Sequence, residues 1–187
     1  IDQYLGTDQE GTSRFPYRVP QAFVDRMMQQ SDWRRILRQF IPSTEELLDH
    51  TNFVTDPVGD QHALVGQGVL HKYTGRVLLV TTGVCPIHCR YCFRRHFDYP
   101  EQAARKHRFT NAIEYIRNHI DVHEVILSGG DPLSLDDKIL NDLLIELQAI
   151  AHVKTLRIHT RFPIIIPERI TTELCHLLSY CKLQVVV

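Results

Sequence analysis

Apolar positions along the second half of the chain follow two rhythms. Ile139, Leu140, Leu143, Leu144, Leu147 and Ile150 recur every three or four residues, which predicts an amphipathic helix after Ser134. Ile113, Ile116 and Ile120 behind an Asn111–Glu114 capping pair predict a second helix. Leu174, Leu177 and Leu178 behind Thr171 or Thr172 predict a third. Between these helices run short, β-branched apolar segments: 76–82 (RVLLVTT), 124–128 (EVILS), 154–160 (KTLRIHT) and 183–187 (LQVVV). Strand–helix–strand units of about thirty residues favour a parallel sheet with right-handed crossovers. Strands of this kind make an open sheet or part of a barrel, and a chain that stops inside the last of them favours the part. The expected fold class is therefore α/β: a partial (β/α) TIM-like barrel of about four βα units, behind a helical amino-terminal region.

The first half reads differently. Residues 1–20 are polar and punctuated by proline. From Pro20 to His50 the pattern is helical in three pieces, and Ser43 with Glu46 has the spacing of a capping box. The stretch "TDPVGDQHALVGQGVLHKYTGR" is rich in Gly and Pro and is expected to be loop. These textures divide the chain into 1–75, a helical region with its connector, and 76–187, the partial barrel.

Composition narrows the function classes. A chain of 187 residues, 43% hydrophobic, can bury one sizeable core. A net charge of −1 supplies no global field for nucleic acid or an acidic membrane, so neither is an expected partner. The apolar runs "VLLV" and "PIII" are too short to span a bilayer, and the polar start does not read as a signal peptide. Without an initiator Met, and with "LQVVV" at its end, the chain is expected to be a piece of something longer. Five cysteines, an odd number with three clustered, do not suit a disulfide scaffold and point to a reducing cytoplasm.

The chemistry concentrates in "GVCPIHCRYCFRRH" (83–96), where Cys85, Cys89 and Cys92 have C-x-x-x-C-x-x-C spacing. Packing explains three thiols in a polar, basic loop poorly. A disulfide leaves one of them over. A closed zinc site needs a fourth ligand, for which His88 and His96 are the local choices. An iron–sulfur cube held by three thiolates leaves one iron open for substrate or cofactor. The loop follows the first parallel strand, "SGGDPL" (128–133) follows the second, and "HTRFP" (159–163) follows the third. In parallel α/β sheets such loops gather on one face, which holds the ligand site.

The cysteine spacing, with Tyr91 in its aromatic place, resembles the radical S-adenosylmethionine superfamily. "HKYTGRVLLVTTGVCPIHCRYCFRRHF", "ILSGGDPLSL" and "RIHTRFPIIIPERIT", spread over residues 52 to 187, resemble its lysine 2,3-aminomutase family. The resemblance implies a [4Fe–4S] cluster on Cys85, Cys89 and Cys92, with no further catalytic residue in this chain. It also implies S-adenosylmethionine against Tyr91, Ser128, Gly129, Gly130 and Asp131, where the acid is one methylene shorter than the Glu of the superfamily's Gly-Gly-Glu-like segment. Arg94 matches the arginine that binds the substrate carboxylate. Tyr73 and Arg76 match residues near pyridoxal 5′-phosphate; Lys72, standing where relatives often have Arg, together with His159 and Arg161, are further candidates. The implied reaction converts L-α-lysine to β-lysine by moving the amino group from C2 to C3. The product would serve modification of translation elongation factor P by its ligase, and a flavodoxin or ferredoxin would supply the electron. The lysine that anchors pyridoxal phosphate falls beyond Val187, since Lys72, Lys106, Lys138, Lys154 and Lys182 sit in no matching context; the fragment alone is expected to be inactive. Two other readings stay open: a radical enzyme of this kind without pyridoxal phosphate, and a zinc-bearing binding module. The sequence does not fix the oligomeric state, and a homo-oligomer is compatible with it.

Overall fold

The computed structural model describes residues 15–48, 51–99, 104 and 109–187. They divide into two compact units: the described residues up to Val58 together with Pro86–Phe97, and Gly59–Cys85 together with the described residues from Asp98 to Val187.

In the first unit, α1 (Gln21–Met28) buries Phe23, Val24 and Met27, and α2 (Trp33–Leu37) buries Leu37. Phe40 closes this small core edge-to-face on Phe23, with ring centroids 5.5 Å apart. A single 3₁₀ turn, Thr44–Leu47, follows. Its start carries the predicted capping pair: the Ser43 hydroxyl accepts the Glu45 N–H at 3.2 Å, and Glu46 Oε1 accepts the Ser43 N–H at 3.3 Å. The cap is present, but it opens one turn rather than an α-helix.

The second unit carries a six-stranded sheet in sequence order. A short helix, α3 (Asp60–Ala63), leads into β1 (Leu64–Gly66), which pairs antiparallel with β2 (Val69–Tyr73). This hairpin corrects the expectation of loop across 55–75. Gly68, at φ 73°, makes the tight reversal between the two strands, so the Gly content that argued for loop marks a hairpin turn. Strand β2 pairs antiparallel with β3 (Arg76–Thr82). From β3 the sheet is parallel through β4 (Glu124–Gly129), β5 (Thr155–Ile158) and β6 (Gln184–Val186), so the four expected strands are all present and the sheet is open, not closed.

Helices α4 (Thr110–Asn118), α5 (Asp137–Gln148) and α7 (Thr172–Ser179) form the crossovers, with the short α6 (Phe162–Ile165) after β5. Ile113 and Ile116, Leu140, Leu143, Leu144 and Leu147, and Leu174 pack on Val77, Leu79, Val125, Leu127, Leu156 and Ile158 of the strands. Alternation then turns Arg76, Leu78, Glu124, Ile126 and Arg157 to the other face. Thr171 caps α7 as expected, its hydroxyl accepting the Leu174 N–H at 3.2 Å. The other two caps differ: α4 starts from Phe109 with Asn111 already inside it, and α5 starts from Asp136, leaving Ser134 free for the loop described below. Among the described residues no helix is long and apolar enough to cross a membrane.

Candidate functional site

At the carboxyl ends of the parallel strands, three loops of the sheet unit are tied together. After β3, the Thr82 carbonyl accepts the Gly130 N–H at 2.6 Å, and the Val84 carbonyl accepts both the Asp131 N–H at 2.8 Å and the Ser134 hydroxyl at 3.1 Å. Gly130 lies so close to this segment that a Cβ there would stand 2.4 Å from the Val84 carbonyl oxygen. Gly129, at φ 118°, occupies a conformation few other residues adopt, and its carbonyl accepts the Tyr99 hydroxyl at 2.8 Å. Below it the Thr81 hydroxyl donates to the Ser128 carbonyl at 3.0 Å. The "SGGD" loop thus seats its backbone directly against the residue preceding Cys85.

Asp131 extends the tie to the third loop. Its Oδ1 accepts the Thr160 hydroxyl at 2.7 Å and the Leu133 N–H at 3.1 Å, while Oδ2 accepts the Arg161 N–H at 2.6 Å. The residue is 4% exposed. Burial pushes its carboxyl above the ordinary range, and the donors from Arg161, Thr160 and Leu133 partly offset that push. Both oxygens are engaged inside the protein, so Asp131 shapes the rim from beneath. His159 is exposed beside it, with its backbone N–H on the Leu127 carbonyl at 3.0 Å, and the Arg161 side chain is exposed. Ser128, Gly129, Gly130, Asp131, His159 and Arg161 are therefore brought together as the sequence suggested. Thr160 and Tyr99 complete the rim, and nothing local in the sequence singled them out.

The helical unit holds Cys89 and Cys92 in one tight turn, with the Cys92 N–H on the Cys89 carbonyl at 3.0 Å. Cys85 is the last residue of the sheet unit's first segment, and three residues separate it from Cys89. None of the three thiols is in a disulfide, and all three are half-buried. Among the described residues no three His, Cys, Asp or Glu side chains already form a metal-holding group. The donor chemistry nevertheless fits an iron–sulfur cluster, which takes thiolates and needs no others from the protein when one iron is left open. His88 is used elsewhere: Nδ1 donates to the Pro16 carbonyl at 2.7 Å, and the ring stacks on Phe15 at 5.1 Å. Cys175 is exposed on α7 and Cys181 packs against the core behind it.

Around that turn the side chains are ordered. Tyr91 donates its hydroxyl to Gln39 Oε1 at 3.3 Å. Arg94 is 7% exposed, with its guanidinium 4.8 Å over the Phe93 ring. Arg90 and Arg95 both reach Glu46, the acid of the capping pair. Burial alone would raise the Glu46 carboxyl, but hydrogen bonds and charge from the two guanidinium groups outweigh it and hold the carboxyl below the usual range.

Lys72, Tyr73 and Arg76 are not on the rim. Tyr73 pairs with Arg76 across the β2–β3 turn, at the amino end of the parallel strands. The length of β3, about 20 Å at 3.3 Å per residue, separates them from Thr82 and the loops beyond. Arg76 does share the sheet face opposite α4, α5 and α7, where Glu124 Oε2 stands 3.4 Å from it and Glu124 Oε1 accepts Arg157 Nε at 2.9 Å. Glu124 and Arg157 were not expected; polar residues at alternating positions of buried strands were the signal that could have found them.

Two elements of this arrangement, a parallel sheet with ligand-bearing loops at its carboxyl ends and a C-x-x-x-C-x-x-C turn after its first parallel strand, define a class. The Radical SAM superfamily model matches residues 79–178, and the chain belongs to that superfamily. Within it, the chain is similar to proteins named L-lysine 2,3-aminomutase. It is 45% identical over 173 residues to that of Escherichia coli (strain K12) and 44% identical over the same length to that of Buchnera aphidicola subsp. Baizongia pistaciae. The protein of the same name from Haemophilus influenzae is 42% identical over 173 residues. Each match covers 92% of this chain and 50% or 51% of the relative, so the chain spans about half the length of the curated relatives it matches.

Proposed function

We propose that the protein to which this chain belongs is a radical S-adenosylmethionine aminomutase that converts L-α-lysine to β-lysine. The similarity to three aminomutases along 92% of the chain carries this reading, because it includes the cysteine turn, the "SGGD" loop and the "HTR" loop together. A [4Fe–4S] cluster with S-adenosylmethionine would supply a hydrogen-abstracting radical, and pyridoxal phosphate would supply the hold on the migrating amino group. Cys85, Cys89 and Cys92 would hold the cluster. The close-packed Ser128–Asp131 loop would present its backbone to S-adenosylmethionine, as the glycines allow. Arg94 would take the lysine carboxylate, because a planar fork makes two parallel charge-assisted hydrogen bonds.

Tyr91, His159 and Arg161 would contribute to the cofactor sites. Lys72, Tyr73 and Arg76 would serve pyridoxal phosphate from the amino end of β3, where Glu124 orients Arg76. Cysteines outside any disulfide suit a reducing cytoplasm, in which a flavodoxin or ferredoxin would provide the electron. Elongation factor P and its ligase are the proposed users of the product.

Anaerobic reconstitution of the full-length protein with iron, sulfide and pyridoxal phosphate, followed by lysine and S-adenosylmethionine, tests the reading. β-Lysine is the expected product. S-adenosylmethionine cleavage without β-lysine would move the protein to another radical chemistry, and about one zinc per chain with no sulfide would remove it from radical chemistry altogether. With the same assay, Arg94→Lys should raise the KM for lysine about tenfold with a smaller change in kcat, since the charge is kept and the fork is lost.

A further inference from the structure

The proposed cluster does not explain why a helical unit accompanies the sheet, or why the turn carrying Cys89 and Cys92 is so basic. Glu46 answers both. Its Oε1 accepts Arg90 Nε at 2.8 Å, and its Oε2 accepts Arg90 Nη2 at 2.6 Å and Arg95 Nη2 at 2.7 Å. The bond to Arg90 is the bidentate fork that suits a carboxylate best. Side-chain exposure is 6% for Arg90, 14% for Glu46 and 20% for Arg95, so water competes little for these charges.

Both guanidinium groups also lie over the Phe15 ring, at 5.1 Å and 5.0 Å. Arg90 Nη1 reaches the Phe15 carbonyl at 2.9 Å, its backbone N–H reaches the Gln39 carbonyl at 2.8 Å, and Arg95 Nη1 turns back to the Arg90 carbonyl at 3.4 Å. Arg90 directly follows Cys89, and Arg95 donates its N–H to the Cys92 carbonyl at 3.3 Å. One carboxylate therefore holds both flanks of the two-cysteine turn.

We infer that Glu46 is a positioning residue for the iron–sulfur site: through Arg90 and Arg95 it presets the Cys89–Cys92 turn for its metal and keeps it closed around that metal. This rests on the cluster reading above. The carboxylate touches neither thiol; it acts on the backbone that carries them. The capping bond from the Ser43 N–H fixes Glu46 in turn, so the helical segment is the strut for the turn. Outer-shell partners of this kind are worth about ten- to a hundredfold in metal affinity.

The test uses full-length protein carrying Glu46→Gln, with Glu46→Asp as the variant that keeps the charge. A third variant, Phe23→Leu, loosens the same unit from its core without touching the clamp, and melting temperatures place all three on one scale. Two quantities are read: the alkylation rate of Cys89 and Cys92 in metal-free protein, and the rate of iron loss to a chelator after anaerobic reconstitution. Glu46→Gln should lose iron about tenfold faster than wild type and alkylate faster, with Glu46→Asp between them and Phe23→Leu near wild type. Iron loss from Glu46→Gln at the wild-type rate, or matched by Phe23→Leu, overturns the inference alone. Failure of wild type to take up iron overturns the cluster reading and this inference with it.

Discussion

On the proposed reading, serine at Cys85, Cys89 or Cys92 is expected to strip the full-length protein of its cluster iron and to reduce any β-lysine formation to that of protein never given iron. A serine oxygen is smaller and harder than a thiolate and stays protonated at neutral pH, so it does not replace sulfur as a ligand. Three protein ligands with one iron left open leave no spare donor, and the loss of any one leaves two. An imidazole from His88 or His96 would not restore the all-thiolate set that such a cluster takes from the protein. The three single variants should therefore fail alike. Cys175→Ser and Cys181→Ser are the contrast: one thiol is exposed on α7 and the other packs behind it, and both variants should retain full iron and turnover. Iron and sulfide analysis after anaerobic reconstitution reads the difference. Full cluster content in any of the first three, or its loss in either of the last two, would contradict the ligand assignment.

In the sequence the five cysteines divide into a cluster of three and a separate pair, and that division is local. Spacing along a loop, and the place of that loop after a β-branched run, are short-range properties. The four parallel strands were legible for the same reason: each contains a short β-branched apolar run bounded by turn or helix signals. The β1–β2 hairpin was not, since β1 has three residues and the reversal at Gly66–Gly68 carries the composition of a loop. Its pairing is decided by β3, whose Leu79 and Leu78 face Val69 and Leu70.

The caps show the limit of counting. Ser43 and Glu46 were found at the right spacing, yet the carboxylate's larger task lies 44 and 49 residues away, at Arg90 and Arg95. Asn111 with Glu114 had comparable spacing, and the cap falls two residues earlier, at Phe109 in a left-handed conformation. Local patterns propose partners within a turn or two; whether a charged group has a better one elsewhere is settled only by the fold. Glu124 illustrates this again, because Arg76 and Arg157 reach it across strand pairings that no local period encodes.

Removing the Asp131 carboxylate is expected to cost about 3 kcal/mol of folding stability, and to weaken S-adenosylmethionine binding through the loop rather than through a lost contact. In Asp131→Ala the Leu133 and Arg161 N–H groups lose their acceptor in a place water reaches poorly, and the Thr160 hydroxyl must turn elsewhere. Bonds to a charged acceptor are worth roughly 1.5–3 kcal/mol each, and the offset from no longer burying a charge keeps the total near the value of one or two. Asp131→Asn is the sharper variant because it keeps the shape. An amide supplies one oxygen where the site needs two acceptors, so its NH₂ must face either the Leu133 N–H or the Arg161 N–H, and both flips leave donor against donor. Its cost should be about 2 kcal/mol, somewhat below that of alanine. Denaturant unfolding of the metal-free protein reads the stability, and ligand titration of the reconstituted protein reads the binding. Were Asp131→Asn to unfold like wild type while losing S-adenosylmethionine affinity, the carboxylate would be a direct ligand and not a strut. The three donors already on its two oxygens make the strut the expected result.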